Sequence, residues 1–352
     1  MEPDDALERA LLIALAVPDE RDLALLRRLQ LEAAEAPPEE TPGLSAALRE
    51  RLVALRARGE AAAERRRCEL LELELVTWSD PRYPAALLDL SAPPPVLWLR
   101  GRGEWPPPRP ITIVGARAST ARGRAFARDL GAGVVERGGA VVSGLAIGID
   151  QASHEGALDG GGAACAVLAC GVDQTYPPGA RPLAQRVEAT GRIVSELPLG
   201  TPPYKVHFPR RNRILAALST ATLVIEADLR SGSLITAHRA LELGRAVHAM
   251  PGAIDAPTSR GTNRLIRDGA HPLLGIDDLD LLLEAAPGSG RADGGAGGNG
   301  DELQAALAAP IAVDELSRRL GVAIDRLLVR LVELEADGRV TRLGGGLYVR
   351  RA

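Results

Sequence analysis

Residues 205–213 read Lys205-Val-His-Phe208-Pro-Arg210-Arg211-Asn212-Arg213, with four positive charges and no negative one. This is chemistry for a polyanion that carries rings. The cations meet phosphates, the Asn212 amide supplies a hydrogen bond, and the Phe208 ring offers a face on which a base stacks for about 1–3 kcal/mol. The alternative is structural: Phe208 lies in the core and the arginines pair with Glu196, Glu226 or Asp228. Both readings stand for Arg211 and Arg213. Lys205 lies in a loop between prolines and an apparent helix (Ile214-Leu-Ala-Ala-Leu218), which favours binding.

Further candidates sit where apolar runs end in small residues. One run closes in Gly115-Ala-Arg117-Ala-Ser119-Thr120 and a second in Ser143-Gly144-Leu-Ala-Ile-Gly-Ile-Asp150. Others close in Gly171-Val-Asp173, in Glu226-Ala-Asp228-Leu-Arg230-Ser231-Gly-Ser233 and in Pro251-Gly252. Such turns let backbone N–H groups and helix N-termini face an anion, and several along one rim suit an extended polyanion or a nucleotide with several contacts. A dinucleotide site fails in detail: Gly115-x-Arg-x-Ser replaces Gly-x-Gly-x-x-Gly, and the second run ends in Val-Val-Ser-Gly with no acidic residue placed to hold a ribose hydroxyl. Ser143, Asp150 and His154 share one segment but lack a Gly-x-Ser-x-Gly elbow, so Asp150 and His154 read as a capping and packing pair. Glu226 and Asp228 read more readily as ligands of backbone amides or an arginine than as an acid/base pair.

The elements that must position these residues follow from hydropathy. Strand-like runs occur at Ile111–Gly115, Ala140–Leu145, Ala164–Gly171, Arg192–Leu197, Ala221–Ala227, Ala246–Gly252 and, weakly, Pro272–Gly275, with helix-length segments between them. Continuous apolar runs belong to strands buried on both faces, which gives an α/β, doubly wound, mostly parallel sheet. Residues 1–70 form a small helical domain rich in Ala, Leu, Glu and Arg. Residues 71–285 hold the sheet, entered through a proline-dense connector with Trp78 and Trp98. Residues 286–300 are a Gly-rich flexible linker. Residues 301–352 read as three helices and a β-hairpin, a winged helix.

Composition narrows the class. Of 42 basic residues only Lys205 is a lysine, against 46 acidic ones, for a net charge of −4; only nine residues are aromatic. That excludes a uniformly basic coat and a broad aromatic platform, while leaving room for a local patch. No run approaches the roughly 20 apolar residues of a membrane span, and the acidic N-terminus is unlike a signal peptide. Cys68, Cys165 and Cys170 suggest reduced, buried thiols and a cytoplasmic setting, and no Cys-x-x-Cys or paired histidine points to zinc. Neither metal nor cofactor is implied.

Together these segments resemble the bacterial DNA-processing protein A (DprA, also called Smf) family. The resemblance rests on Trp78–Gly101, Ile-Val-Gly-Ala-Arg117-x-Ser119, Ser143-Gly-Leu-Ala-x-Gly-Ile-Asp150-x-x-x-His154-x-Gly-Ala-Leu158 and Gly171-x-Asp-x-x-Tyr-Pro177. It continues through Ser195-Glu-x-Pro198, Phe208-Pro-x-Arg-Asn-Arg213, Ser231-Gly-Ser-x-x-Thr-Ala237 and Pro251-Gly252, in the family's order. It implies an extended Rossmann-like domain in a non-catalytic homodimer. It further implies binding and protection of incoming single-stranded DNA in natural transformation, and loading of RecA, with single-strand-binding protein a further candidate partner. Carried over, Arg117 and Ser119 match a phosphate loop, Lys205 and Phe208 the cation and stacking ring, and Arg211-Asn212-Arg213 the Arg-Asn-Arg element. Gly115, Ser143, Gly144, Ser231 and Ser233 complete the expected DNA-binding set.

Two departures qualify the resemblance. Residues 1–40 lack the Gly-x-Gly hairpin of a helix–hairpin–helix or SAM-like domain. The third helix of the winged unit carries Arg326 and Arg330 against Asp325, Glu333, Glu335 and Asp337, a poor charge for reading duplex DNA. A protein-contact or accessory role is expected for that unit. The rival from another class is a nucleotide phosphoribohydrolase of the lysine-decarboxylase-like (LOG) superfamily. Its Pro-Gly-Gly-x-Gly-Thr-x-x-Glu loop would fall on Ser231–Arg239, which has no glutamate at the matching place.

Overall fold

The run Ile111-Thr-Ile-Val114 becomes a strand buried on both sides. Ile111 and Ile113 pack on one layer of helices, while Val114 packs on the other. The computed structural model describes residues 3–16, 22–26 and 37–284 and, further on, 311–320, 340–342 and 347–350 with isolated positions between 303 and 334. Two compact units divide at residue 289.

Among its described residues the first unit holds nine strands: β1 (Glu74–Thr77), β2 (Val96–Arg100), β3 (Pro110–Val114), β4 (Ala140–Ser143), β5 (Ala164–Val167), β6 (Arg192–Ser195), β7 (Ala221–Val224), β8 (Ala246–Ala249) and β9 (His271–Pro272). They form one sheet in the order β1-β2-β6-β5-β4-β3-β7-β8-β9. Strands β3 to β9 pair in parallel, and β1 and β2 add an antiparallel edge through β2–β6. The strands end earlier than the apolar runs because Leu145, Leu168 and Ile225 stay buried past the last ladder bonds, so hydropathy outlasts pairing. The connector supplies two paired strands, with Trp98 fully buried.

The helices are α1 (Pro3–Leu15), α2 (Ala46–Ala57), α3 (Glu60–Leu70), α4 (Ala121–Glu136), α5 (Ile149–Asp159), α6 (Arg181–Thr190), α7 (His207–Leu218), α8 (Ser233–Glu242), α9 (Pro257–Arg267) and α10 (Asp278–Glu284). Leu130 and Val134 of α4 cover one face of the sheet; Ile214 and Leu215 of α7 and Ala237 of α8 cover the other. The helical segment shares the first of these cores and is tied to the sheet by one carboxylate. Glu64 of α3 accepts hydrogen bonds from Trp98 Nε1 (3.1 Å) and Leu199 N (2.9 Å) and pairs with Arg67. The three cysteines are buried and free; burial pushes the thiols of Cys68 and Cys165 up to about 12 and that of Cys170 to about 11. No helix among the described residues is long and apolar enough to cross a membrane.

The second unit is a winged helix in which α11 (Val313–Leu320) follows the first strand of a three-stranded sheet and precedes the other two. Its strands β10 (Ile311–Ala312), β11 (Val340–Arg342) and β12 (Leu347–Arg350) lie in the order β10-β12-β11. Leu327, Leu331 and Leu334, spaced for one helix face, pack with Tyr348 and Leu316 in its core. The expected linker and the charged residues of the third helix lie outside the described residues.

Candidate nucleic-acid interface

Strand order reverses at β3, which has β4 on one side and β7 on the other. In open α/β sheets the crevice beyond the strand ends at such a point is where ligands bind. Here it is a cleft of about 650 Å³, walled by the loops after β3 and β7 and by the first turns of α7, α8 and α9.

Arg117, exposed on the β3 loop, stands over the Phe208 ring with its guanidinium carbon 5.2 Å from the centroid. Tyr176 meets the same ring edge-on at 5.6 Å, and Tyr204 lies against His207 at the same separation. Three of the chain's nine aromatics, Phe208, Tyr176 and Tyr204, thus gather in this segment. Lys205 is exposed in the turn before α7, outside the walls of the cleft. The helix starts at His207, earlier than expected from Ile214, because Pro209 falls in the first turn, where a missing N–H costs nothing. Arg210, Arg211, Asn212 and Arg213 are therefore helical and point in different directions.

Arg211 and Asn212 are buried in the cleft wall. Arg211 donates to Gly144 O (3.0 Å) and to Val167 O, and Asn212 Nδ2 donates to Gly232 O (3.1 Å). Burial lowers the Arg211 pKa against the opposing pull of Asp150; burial raises that of Asp150 against the pull of Arg211. Gly144 is glycine for this guanidinium, since a Cβ there would fall 2.2 Å from Arg211 Nη1. Arg213 does not line the cleft: it pairs with buried Glu196, which also takes Arg210 at 3.2 Å, and donates to Ala92 O (2.6 Å). Ser143 and Gly144 do not line it either. The Ser143 hydroxyl is fully buried and donates to Ile113 O (2.6 Å).

The helix N-termini at the rim differ. Glu226 fills that of α4, accepting from Thr120 N (2.8 Å) and Thr120 Oγ1 (2.6 Å), while Thr120 Oγ1 accepts from Gly123 N (2.9 Å). Asp150 occupies the β4–α5 turn, accepting from Gly144 N (3.1 Å). Gly148, at φ +94°, lets this turn close on the β3 loop, since a Cβ would fall 2.5 Å from Ala116 O. The β3 loop therefore offers the Arg117 side chain rather than a bare helix end. Gly115 serves packing, with a Cβ position 2.6 Å from Ile149. The Ser119 hydroxyl is buried without a hydrogen-bond partner among the described residues. The N-cap residues of α8 and α9, Gly232 and Ala256, supply no capping side chain, though Ser231 Oγ accepts from Ser233 N (3.4 Å), and the first residues of both helices line the cleft. Ser231 and Ser233 share a hydrogen bond (2.7 Å) at that entrance.

The cleft also holds residues outside the expected DNA-binding set: Arg230, Thr236, which the Ser231–Ala237 motif already contains, and Thr258. Arg230 lay one position before Ser231 and was legible as a charge beside a phosphate loop. Thr258 follows no strand and left no signal. His154 is fully buried within α5, and burial pushes its pKa down to about 3. Among the described residues no group of three or more His, Cys, Asp or Glu could hold a metal ion.

A switch-point cleft walled by arginine, hydroxyls and a partly exposed ring belongs to the α/β proteins that bind nucleotides or polyanions at the carboxyl rim of a sheet. Residues 74–284 match the DNA recombination-mediator protein A family and residues 302–346 the DprA winged helix domain. The chain belongs to the DNA recombination-mediator protein A family. It is 37% identical to Protein Smf of Escherichia coli over 76% of this chain and 75% of that one. It is 40% identical to Protein Smf of Synechocystis over 61% of this chain, a match spanning 55% of that relative's length. Among solved structures, DNA processing protein A of Streptococcus pneumoniae superposes with a TM-score of 0.68 at 29% identity, over 77% of this chain and 95% of that one. The DNA processing protein A of Helicobacter pylori, studied for its single-stranded DNA binding mode, gives 0.55 at 28% identity, over 60% of this chain and 96% of that one.

Proposed function

We propose that this protein binds single-stranded DNA in the switch-point cleft. It then acts in DNA processing during natural transformation and recombination, protecting the incoming strand and loading RecA, as a non-catalytic homodimer formed through the sheet domain. The observation that carries this is the Arg117–Phe208 pair beside the Ser231–Ser233 entrance: a cation, a base-sized ring and hydroxyls line one open cleft. The H. pylori relative supports the choice of single strands. Ser143 and His154 are both withdrawn into the interior, and the phosphoribohydrolase loop still lacks its glutamate, so nothing favours the hydrolytic reading.

Single-strand and duplex binding, each at two salt concentrations, tests this. About four to six phosphate contacts give a log–log salt slope near −3 to −4 on single strands. Lys205→Ala is expected to flatten the slope by about 0.7, one phosphate's share. A flat slope in the parent, or duplex bound as tightly as single strands, overturns the reading.

A further inference from the structure

A second concavity, of about 360 Å³, lies between the loop after β5 and helix α6. That is the small end of ligand sites, which run from about 300 to 1,000 Å³. Its walls are polar: Arg100, Asp173, Thr175, Arg181, Gln185 and Glu188. One loop separates it from the cleft. Thr175 lines the concavity, while the next residue, Tyr176, is exposed and sets its ring against Phe208. Adjacent Cα atoms are about 3.8 Å apart, so the two places are neighbours across a single step of chain.

The loop is a fixed wall. Both Asp173 carboxylate oxygens accept from Gly200 N (3.1 and 3.0 Å), Gly171 N donates to Thr201 O (2.9 Å) and Gln174 N to Gly171 O (3.0 Å). The facing wall is one side of α6, where Arg181, Gln185 and Glu188 recur at helical spacing. Arg100 enters from the end of β2. Its Nε is buried without a hydrogen-bond partner and lies 3.4 Å from Glu188. Arg181 is exposed and has no ion pair among the described residues. Two guanidiniums, one of them unpaired, thus stand beside an amide and a hydroxyl. Guanidinium suits a phosphate, and the amide and hydroxyl each offer both a donor and an acceptor to the edge of a base. Asp173 and Glu188 bring the summed charge of the walls to zero. That suits the single charge of a phosphodiester better than the nearly double charge of a free phosphate monoester.

We propose that this concavity is a second nucleotide subsite, which holds one nucleotide of a strand leaving the cleft over Phe208 and Tyr176. Arg181 and Arg100 take its phosphate, and Gln185 and Thr175 take the edge of its base. The inference rests on the single-strand reading of the cleft.

Strand length separates the two places. Oligothymidines from two to twelve nucleotides are titrated into the full chain and into Arg181→Ala. On the shortest strands, which stop within the cleft, the variant is expected to bind within about twofold of the parent. Once the strand passes Tyr176, the parent is expected to gain affinity that the variant lacks. The gap at 0.1 M salt is about fivefold, with the log–log slope lower by about 0.7, one phosphate's share. Gln185→Glu, which sets a negative charge in the concavity at almost unchanged volume, is expected to show the same dependence on length. Arg186→Ala removes a charge from the same helix outside the concavity, where Arg186 pairs with Asp159 at 2.7 Å, and is expected to match the parent at every length. The melting temperature of each variant confirms folding. A loss equal at all lengths, no loss at any, or an equal loss from Arg186→Ala overturns the subsite. So does weaker binding of thymidine 5′-monophosphate to Gln185→Glu with 12-mer binding unchanged, which would make it a site for a free nucleotide. Arg117→Ala is the separate control: if it binds every length like the parent, the cleft reading itself has failed.

Discussion

Arg117 and Phe208, ninety-one positions apart in sequence, meet face to cation at 5.2 Å on opposite walls of the switch-point cleft. The contact holds a partly exposed ring with one edge against Tyr176 and leaves a cation over it, and on the proposed single-strand reading a base and its phosphate would meet both. Phe208→Ala is expected to weaken single-strand binding by about 1–3 kcal/mol, roughly 5- to 150-fold, with little change in salt slope. Arg117→Ala is expected to lower both affinity and slope. Fluorescence anisotropy at two ionic strengths separates the two effects. Identical slope changes in both variants would show that the ring does no stacking.

Arg213 makes the opposite case. It belongs to the same motif, but its charge is used inside the protein on Glu196 and Ala92 O. Arg213→Ala strands a buried carboxylate and is expected to cost about 3 kcal/mol, the low end for a broken buried pair, because Arg210 remains within 3.2 Å of Glu196. Lys205→Ala, at an exposed turn, is expected to stay within about 0.5 kcal/mol of the parent. Urea unfolding followed by circular dichroism measures both. If the two variants are equally stable, the pairing has no energetic role.

Those two arginines mark what the sequence could yield. The parallel sheet was legible because strands buried on both faces write themselves as unbroken apolar runs, and the rim loops because small residues end those runs. Direction was not legible. Arg211, Asn212 and Arg213 are neighbours in sequence, but on a helix each step turns the side chain by about 100°. Arg211 and Asn212 therefore reach the cleft wall and Arg213 the interior. Glu226 was foreseen as a ligand for backbone amides, and it does cap α4 through Thr120.

The attachment of the helical segment rests on Glu64. Its Oε1 receives both the Trp98 indole N–H and the Leu199 amide, and Arg67 balances the charge. Glu64→Ala leaves two buried donors unpaired and is expected to cost about 3 kcal/mol, each stranded donor contributing roughly 1–3. Glu69→Ala, on the exposed side of the same helix, is the comparison and should be nearly silent. If both variants melt with the parent, the helical segment is held by its apolar contacts alone.

His154 makes stability depend on pH. In the folded chain burial holds its imidazole neutral, with a pKa of about 3, whereas unfolding returns it to the ordinary 6.5. Between those values the unfolded state carries the extra proton, so stability falls as pH falls through 6.5. From pH 7 to pH 5 the loss from this group is about 2 kcal/mol. His248, lowered by burial and by stacked His271, acts in the same direction. Asp150, raised by burial, acts oppositely, because acid relieves its buried charge. His154→Gln isolates the one contribution: whatever the substitution costs at pH 7, the variant should lose about 2 kcal/mol less than the parent on going to pH 5. Urea midpoints for both proteins at the two pH values test it. Parallel losses would mean that His154 takes up its proton without unfolding, which its position in the core of α5 forbids.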